Sequence, residues 1–343
     1  MSNENYYPMI VSWELTNACN LNCLYCFNDS GRAFEDELTK DEIHGVLKSL
    51  YDAGVFRIEF TGGEPMMRPD FADIIKEAHK MDFIISVASN GTIINENIAS
   101  ILKEAEVAHV QVSLDGLKET HDYQKGLIGA FDSVVQGIKC LKEHDICVHA
   151  RMTVTKKNIR EIEEVLKLSA GLGVDEFNMM RVWASGRAID GQLNLNSNEI
   201  ISLNSEMQRL MELYKKDIGI RYDHCGFFGR DSFQPFREHN ERLCQCARTT
   251  CVIKPNGIVT PCEVLTMKAG DLRVETFADI WRNSPVMEEF RSFNPDNLKG
   301  TCGRCSDRNI CGGHCRALAL IHHGDFYAED PTCWKVMKNK MAE

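Results

Sequence analysis

Three cysteines stand close together near the start of the chain, in the run Cys19-Asn20-Leu21-Asn22-Cys23-Leu24-Tyr25-Cys26. A C-x3-C-x2-C spacing puts three thiolates on one loop, which suits an iron–sulfur cluster. Three thiolates leave one iron of a 4Fe–4S cube without a protein ligand, and chemistry takes place at such an open position. The alternatives are three buried cysteines or a zinc loop, but zinc needs a fourth ligand and no histidine follows nearby.

Charge and cysteine content narrow the class of protein. The formal net charge is -11 and the pI is about 5.5, which argues against a nucleic-acid partner and against binding to an anionic membrane surface. No apolar run approaches the roughly 18 residues of a membrane span, and residues 1–8 lack an apolar signal core. We therefore expect a cytoplasmic protein, in which the 15 cysteines are metal ligands rather than disulfides.

Strand and helix patterns alternate along the first half of the chain. Short apolar or alternating segments predict six strands, at Met9–Thr16, Phe56–Thr61, Phe83–Ala88, Ala108–Leu114, Ile146–Val154 and Val174–Met180. Helical spacing predicts the intervening helices, which follow a capping box at Thr39–Glu42, the residues Asp70, Asn95 and Ala130, and a cap formed by Asn158 and Glu161. A further helix covers Glu199–Lys216. About 170 residues are too few for an eight-unit barrel of about 250. The pattern predicts an α/β fold, a partial (β/α)6 TIM-like barrel.

Polar residues follow the predicted strands. The turn Gly62-Gly63-Glu64-Pro65 follows the second strand, Ser89 and Asn90 follow the third, and Ser113 ends the fourth. The active site of such a barrel lies at the carboxyl ends of its strands, where the cysteine loop also lies. Glycine allows a backbone to approach a ligand closely, and a carboxylate can pair with an ammonium group. Ordinary turn chemistry is the alternative for each of these segments.

The cysteine loop and the Gly-Gly-Glu-Pro turn, in this order and separated by one helical unit, resemble the radical S-adenosylmethionine (SAM) enzymes. The resemblance implies that Cys19, Cys23 and Cys26 hold a cluster whose open iron chelates SAM, which is then cleaved to a 5′-deoxyadenosyl radical that abstracts hydrogen from a substrate. It also implies cofactor contacts from the residues that match the family motifs, namely Tyr25, Gly62, Gly63, Glu64, Ser89, Asn90 and Ser113. Arg181 and Gly186-Arg187 resemble a further family stretch without a role that we can derive, and Lys125 reads as a surface lysine.

The C-terminal third is rich in cysteine. Gly257-x4-Cys262, the run Cys302-x2-Cys305-x5-Cys311-x3-Cys315 and the late Cys333 resemble the SPASM extension of radical SAM maturases, which holds two auxiliary 4Fe–4S clusters. The resemblance implies one cluster on Cys246, Cys251, Cys262 and Cys315, and another on Cys302, Cys305, Cys311 and Cys333. The ligands of the first of these clusters are left open at one position, because Cys244 could replace Cys246 or Cys251. A zinc ribbon would explain one C-x2-C pair but not the whole set.

Besides Cys244, three cysteines are not assigned to any of the three clusters. Cys140 and Cys147 fall on a predicted helix and strand and are expected to be small core residues. Cys225 follows the predicted barrel, where a thiol can donate hydrogen to a substrate radical, although a spare thiol is the simpler interpretation.

These assignments divide the chain into a barrel domain at 1–217, a bridge at 218–243 and a SPASM domain at 244–343. The resemblance implies three 4Fe–4S clusters, SAM, and an electron donor such as flavodoxin or ferredoxin. The leading hypothesis is maturation of a peptide or protein by cross-linking, oxidation or epimerisation. The cysteine loop begins so early that we expect no preceding peptide-recognition domain, so a separate peptide-carrier protein is a further expected partner. Alternatives are a small-cofactor maturase, such as a heme-pathway side-chain decarboxylase, and a non-catalytic iron–sulfur electron carrier.

Overall fold

The computed structural model describes residues 6–222 and 244–340. Its first half alternates strands and helices. Strands β1 to β6 cover Ile10–Glu14, Arg57–Thr61, Ile84–Ser89, His109–Ser113, Val148–Val154 and Glu176–Arg181. Helices α1 to α7 cover Lys40–Asp52, Phe71–Lys80, Glu96–Glu104, Lys118–Lys125, Ala130–Glu143, Ile162–Gly171 and Ser197–Tyr214. The six predicted strands and the helices between them are therefore confirmed, with ends that shift by one or two residues.

The strands form one sheet. Neighbours β1 to β6 pair in parallel in chain order, so every crossover returns through a helix on the outside of the sheet. Strand β7, at Gly219–Tyr222, lies in the segment expected to be a bridge and pairs in parallel with β6. This arrangement is the predicted partial barrel with one additional strand at its far edge.

The cysteine-rich segment extends the same sheet on its other side. Strand β8, at Thr250–Ile253, pairs in parallel with β1, and strands β9 (Ile258–Thr260) and β10 (Gly270–Asp271) follow as antiparallel neighbours. The complete sheet has ten strands in the order β10-β9-β8-β1-β2-β3-β4-β5-β6-β7. The position of the C-terminal segment is thus fixed by backbone hydrogen bonds to β1, the strand that leads into the cysteine loop.

Short helices build the rest of the C-terminal segment. Helices α8 to α13 cover Phe277–Asn283, Pro285–Arg291, Gly300–Gly303, Arg308–Cys311, Arg316–His323 and Trp334–Lys340. Single 3-10 turns occur at Pro65–Met67, Ile159–Glu161, Gly186–Ala188 and Pro295–Asn297. Among the residues described, no helix is both long enough and apolar enough to cross a membrane.

The core lies between the sheet and the outer helices. Val11, Trp13, Phe60 and Phe177 on the strands are at most 1% exposed, and the helices contribute their apolar faces to the same cluster. The helix ends follow from sequence: Thr39 and Glu42 form the predicted capping box at the start of α1. Burial of apolar side chains is the main stabilising contribution, at roughly 25 cal/mol per Å².

One local prediction needs correction, and one helix was missed. Asn158 and Glu161 were expected to cap a helix, but neither side chain accepts a hydrogen bond from the first turn of α6. The Asn158 amide instead donates to the carbonyls of Asp115 and Thr153, and the Glu161 carboxylate accepts from the amide of Leu117. Both residues therefore fix the loop after β4. Helix α4 was not predicted, because its sequence Lys118–Lys125 is too polar to show a periodic apolar face.

Two helical glycines provide a matched test of this packing. A Cβ at Gly137 in α5 would lie 2.4 Å from the carbonyl oxygen of Gly91, whereas a Cβ at Gly45 in α1 meets nothing within 4 Å. We expect Gly45→Ala to stabilise the protein by about 0.5–1 kcal/mol, because alanine loses less backbone entropy in a helix. Gly137→Ala should destabilise it by about 1–3 kcal/mol through overpacking.

The two variants are compared with the parent protein by urea unfolding, all in the same iron-loaded form. Equal shifts of the two unfolding midpoints, in the same direction, would contradict this description of the contact between α5 and the loop after β3.

Candidate active site and auxiliary cysteine sites

The cysteine loop packs directly on the Gly-Gly-Glu turn. The amides of Gly63 and Glu64 donate to the carbonyls of Thr16 and Ala18, each at 2.7 Å. A Cβ at Gly62 would lie 2.4 Å from the Thr16 oxygen, and Gly62 also has a φ of +135°; a Cβ at Gly63 would lie 2.2 Å from the Ala18 oxygen. Both glycines are therefore required so that two backbones can touch, in addition to any approach to a ligand.

Cys19, Cys23 and Cys26 line one cavity of about 180 Å³ at the carboxyl ends of the strands. The cavity wall also includes the predicted cofactor residues Tyr25, Gly62, Gly63, Ser89, Asn90 and Ser113. Backbone amides of Leu21 and Ser30 donate to the sulfur atoms of Cys19 and Cys26. Burial raises the pKa of the Cys23 thiol to about 11, so its thiolate needs a compensating positive charge. A donor set of three cysteines in a pocket that penalises free thiolates fits a bound iron–sulfur cluster.

Glu64 has a different position from that expected for a ligand contact. Its side chain is completely buried, and its carboxylate accepts hydrogen bonds from the Ser89 hydroxyl at 3.0 Å and from the Asn90 amide at 2.8 Å. Burial raises the pKa of Glu64 to about 7, although these hydrogen bonds lower it. Glu64 thus holds the loop after β3 against the glycine turn, and its predicted pairing with an ammonium group stays a prediction.

Lys125 is not a surface residue, and the sequence-based interpretation of it was wrong. It is 2% exposed, its Nζ lies 2.6 Å from Asp115 Oδ2, and it donates to the Tyr25 hydroxyl at 2.7 Å. The Tyr25 hydroxyl in turn donates to Asp115. The polar sequence around Lys125 predicted exposure, but α4 turns this one side chain inward beneath the cysteine loop.

Asp115 is the centre of this buried network. Its side chain is 0% exposed, and its Oδ1 accepts a hydrogen bond from the Thr153 amide at 2.6 Å. Burial opposes ionisation, but the charge of Lys125 and the surrounding hydrogen bonds lower the pKa of Asp115 below its ordinary value. The Asp115 amide donates to Nδ1 of His121, whose pKa is lowered to about 4 by burial, so the ring is neutral at pH 7. The network joins β4, β5 and α4 to Tyr25.

The end of β6 supports the cysteine loop from the other side. The Arg187 guanidinium donates to the carbonyl of Cys23 at 2.7 Å and forms an ion pair with Asp29. The Arg187 amide donates to the carbonyl of Cys26, and a Cβ at Gly186 would lie 2.3 Å from the same oxygen. These contacts give Gly186-Arg187 the structural role that the sequence did not reveal.

Cys244, which the sequence left open, lies close to cysteines that were predicted to hold the first auxiliary cluster. The Cys246 thiol is hydrogen-bonded to the sulfur atoms of Cys244 and Cys262, and these bonds raise its pKa well above the ordinary value. The pKa of the Cys315 thiol is raised by burial first, then by Asp330, and also by the nearby thiols of Cys262 and Cys244. All four line a second cavity, of about 330 Å³.

Cys251 borders the same cavity but has other neighbours. It is 1% exposed within β8, burial is the main reason why its pKa is raised, and Arg291 is the charged group acting on it among the described residues. The arrangement favours Cys244 over Cys251 as the fourth member of this group. The sequence could not decide this, because spacing does not show which way a thiol on a strand points.

The cysteines predicted to hold the second auxiliary cluster lie in one region of the structure. Burial raises the pKa of Cys311 to about 12, and the neighbouring thiols of Cys333 and Cys302 contribute next. Cys305 lies close by, with Lys335 Nζ at 3.6 Å from its sulfur atom. The structure thus brings together the region of Cys302, Cys305, Cys311 and Cys333.

A buried polar network lies between the two auxiliary groups. Asp330 is 0% exposed and accepts hydrogen bonds from the Cys315 amide and from His314 on one side, and from Thr332 on the other. Arg181, at the end of β6, donates to the Thr332 carbonyl at 3.0 Å. Arg181 therefore links the barrel to the segment that carries Cys333.

The spacing of these cysteines speaks against a single zinc ion. In the described residues, the only three potential ligands whose donor atoms lie within 4.8 Å of one another are Glu96, Cys140 and His144. Thiolates around one tetrahedral zinc would lie about 3.8 Å apart, given zinc–sulfur bonds of about 2.3 Å. No three cysteines of the described residues lie close enough together to match that spacing, although Cys246 is near both Cys244 and Cys262.

The two cavities adjoin. Glu59, Trp183 and Glu263 belong to the walls of both. Arg151, on β5, faces the first cavity and donates to Gln111 and to the sulfur atom of Met180. A molecule bound beside the first three cysteines can therefore extend towards the first auxiliary group.

Cys225 lies outside the described residues. Cys140 is buried, as expected, whereas Cys147 is half-buried.

Loss of the buried cation tests the network at Asp115. Lys125→Met would leave the Asp115 carboxylate buried without its ion-pair partner, a change that typically costs about 3–5 kcal/mol. We expect a lower unfolding midpoint and loss of iron from the cysteine loop, because Tyr25 loses one of its two hydrogen-bond partners and the other, Asp115, is left with an unpaired charge. Lys118→Met is the control, since Lys118 pairs with Asp132 at an exposed position. Equal iron content and stability in both variants would show that the pair does not support the loop.

Iron content can also separate Cys244 from Cys251. We expect Cys244→Ala to lose one auxiliary cluster, because it removes a thiol from the group around Cys246, whereas Cys251→Ala should retain the iron of the parent protein. Iron determination and Mössbauer spectra after anaerobic reconstitution provide the measurement. The opposite result, in which only Cys251→Ala loses iron, would restore the ligand set inferred from sequence.

Comparison with known proteins agrees with this geometry. Residues 13–169 match the radical SAM superfamily model, and residues 244–306 match that of an iron–sulfur cluster-binding domain, SPASM. The AdoMet-dependent heme synthase of Methanosarcina barkeri is 30% identical over 95% of this chain and 96% of its own. The mycofactocin maturase MftC of Mycobacterium tuberculosis is 27% identical over 95% of this chain and 83% of its own.

Solved structures show the same fold. The crystal structure of Streptococcus suis SuiB bound to S-adenosylmethionine superposes with a TM-score of 0.78 at 18% identity, covering 96% of this chain and 77% of that one. The anSMEcpe structure with bound AdoMet and the Kp18Cys peptide also gives 0.78 at 18% identity, covering 96% and 95%. The chain belongs to the radical SAM superfamily, in the group of enzymes that carry a C-terminal SPASM domain.

Proposed function

We propose that this radical SAM enzyme modifies a tetrapyrrole-type small cofactor that binds between the cysteine loop and the first auxiliary group. The observation that carries the proposal is the pair of adjoining cavities that share Glu59, Trp183 and Glu263. The reaction class is that of the family: reductive cleavage of SAM, followed by hydrogen abstraction from the substrate.

The residues around the first cavity would have different roles in binding. Cys19, Cys23 and Cys26 would hold the cluster that supplies the electron for SAM cleavage. Gly62, Gly63, Ser89, Asn90 and Ser113 would contact SAM, with backbone groups exposed by the glycines. Tyr25 positions the loop through Asp115 and Lys125, and Glu64 positions Ser89 and Asn90.

The number of clusters and their ligands belong to the same proposal. We assign three 4Fe–4S clusters: one on the cysteine loop, one on Cys244, Cys246, Cys262 and Cys315, and one on Cys302, Cys305, Cys311 and Cys333. Full cysteine ligation would leave no open iron in the two auxiliary clusters, so they would transfer electrons rather than bind SAM. A flavodoxin or ferredoxin would be the electron donor.

The substrate class rests on the relatives. The heme synthase of Methanosarcina barkeri matches over nearly the whole length, and the Fe-coproporphyrin III synthase of the same organism is 28% identical over 95% of this chain. Tetrapyrrole side chains carry carboxylates, and Arg151 faces the cavity from β5. A side-chain decarboxylation would suit both features: one hydrogen atom of a propionate would pass to the 5′-deoxyadenosyl radical, carbon dioxide would leave, and the remaining electron would pass to an acceptor such as an auxiliary cluster. The relatives and the position of Arg151 together favour modification of a small cofactor over modification of a peptide.

Peptide maturation is the second candidate, favoured by the likeness to MftC, a mycofactocin maturase. Glu59 and Glu263 would then face the peptide backbone or a basic side chain. A separate peptide-carrier protein would be needed if the precursor does not dock directly.

We keep the proposed division into a barrel at 1–217, a connecting segment at 218–243 and a SPASM domain at 244–343, with the sheet continuous from barrel to SPASM domain.

Product analysis tests the proposal. The anaerobically reconstituted enzyme is incubated with SAM, dithionite and iron coproporphyrin III, and both 5′-deoxyadenosine and the tetrapyrrole are followed by mass spectrometry. We expect substrate-stimulated 5′-deoxyadenosine and a tetrapyrrole that has lost carbon dioxide and hydrogen from a propionate. An unchanged tetrapyrrole, with turnover only when a precursor peptide is added, would support the second candidate instead.

The triple variant Cys19→Ala/Cys23→Ala/Cys26→Ala is the control for the reaction. It should form no 5′-deoxyadenosine and retain about two-thirds of the iron, since two fully ligated clusters remain. No 5′-deoxyadenosine from the intact enzyme would point to an electron carrier.

A further inference from the structure

A group of three different metal-binding side chains lies on the outside of the barrel, away from the cysteine sites. Glu96 is in the first turn of α3, and Cys140 and His144 lie at the end of α5, four residues apart. One donor atom from each lies within 4.8 Å of the other two, the only such set among the described residues. We propose that Glu96, Cys140 and His144 bind a zinc-class divalent cation that links α3 to α5.

The distances between the donor atoms suit a tetrahedral ion. Cys140 Sγ lies 3.4 Å from Glu96 Oε1, and His144 Nε2 lies 3.5 Å from Glu96 Oε2. With zinc–ligand bonds of about 2.3 Å to sulfur and about 2.0–2.2 Å to nitrogen and oxygen, tetrahedral ligands lie about 3.4–3.6 Å apart. The thiol and the imidazole approach different oxygens of the Glu96 carboxylate, so this exposed carboxylate would rotate to bring one oxygen to an ion that both can reach.

His144 is oriented for this role by its second ring nitrogen. Nδ1 lies 3.0 Å from the carbonyl oxygen of Cys140, so it carries the proton and donates to that oxygen. Nε2, the nitrogen that would bind the ion, faces Glu96. A metal-bound histidine typically has its other nitrogen fixed by a carbonyl or carboxylate in this way.

Charge and access favour a cation. The carboxylates of Glu96 and Glu143 surround the Cys140 thiol with negative charge. The Glu96 side chain is 75% exposed and that of His144 is 21% exposed, whereas Cys140 is 3% exposed, so the ion would enter from the Glu96 side. Binding releases the thiol proton to solvent, and the thiolate, imidazole and carboxylate become three ligands with water as the fourth. Thiolate and imidazole together select zinc over magnesium or calcium.

Zinc binding by the iron-loaded protein tests the proposal. The reconstituted protein is titrated with up to two equivalents of zinc, desalted and analysed for zinc and iron, and the zinc site is examined by X-ray absorption. We expect one zinc per chain with a single sulfur ligand, unchanged iron, and a raised unfolding midpoint. Glu96→Gln and His144→Gln, both at accessible positions, should weaken binding by more than about tenfold.

Cys140→Ser removes the thiolate with little change of volume, and Cys147→Ala is its control, because Cys147 is a half-buried thiol outside the group. Binding should be lost in the first variant and retained in the second. No bound zinc, or zinc with three or four sulfur ligands accompanied by loss of iron, would overturn the proposal. So would equal binding by the parent protein and by Cys140→Ser.

Discussion

The active site depends on direct contact between two backbones. The turn at Gly62 and Gly63 meets the cysteine loop at Thr16 and Ala18 so closely that a Cβ on either glycine would overlap a carbonyl oxygen. Two amide-to-carbonyl hydrogen bonds then join the loops that follow β1 and β2. This contact fixes the cysteine loop relative to the barrel. A carboxylate at Glu64 extends the same arrangement to β3, because it accepts hydrogen bonds from Ser89 and Asn90.

The buried ion pair between Asp115 and Lys125 supports the cysteine loop from the other strands of the barrel. Asp115 and Lys125 are both removed from water, which is costly unless each is paired and hydrogen-bonded. Here the carboxylate accepts from Lys125, Tyr25 and the Thr153 amide, so its charge is balanced in a fixed geometry. The consequence is that Tyr25, and with it the cysteine loop, is tied to β4, β5 and α4. Arg187 supplies the matching support from the end of β6 through the Cys23 carbonyl.

Sequence patterns predicted the parts of this fold whose signal is local. Apolar alternation and capping residues located the six strands and the helix capped by Thr39, because their periodicity reflects burial on one face. Lys125 was misassigned because a lysine in a polar helix is usually exposed, and its buried partner Asp115 comes from another loop. The roles of Asn158 and Glu161 were missed for the same reason: their side chains reach the loop after β4 rather than their own helix.

The choice between Cys244 and Cys251 shows why motif spacing alone cannot assign ligands. Cys251 lies within β8, where pairing with Val11 on β1 fixes the direction of its side chain into the apolar core. Cys246 and Cys262 lie before and after the β8–β9 hairpin. Cys244 is close enough to form a hydrogen bond with the Cys246 thiol. One strand, β1, therefore sets both sites: its end carries the cysteine loop, and its edge carries β8, which positions the first auxiliary group. The separation between the two cysteine sites is thus a property of the sheet, and the adjoining cavities meet beside Glu59 on β2 and Glu263 after β9.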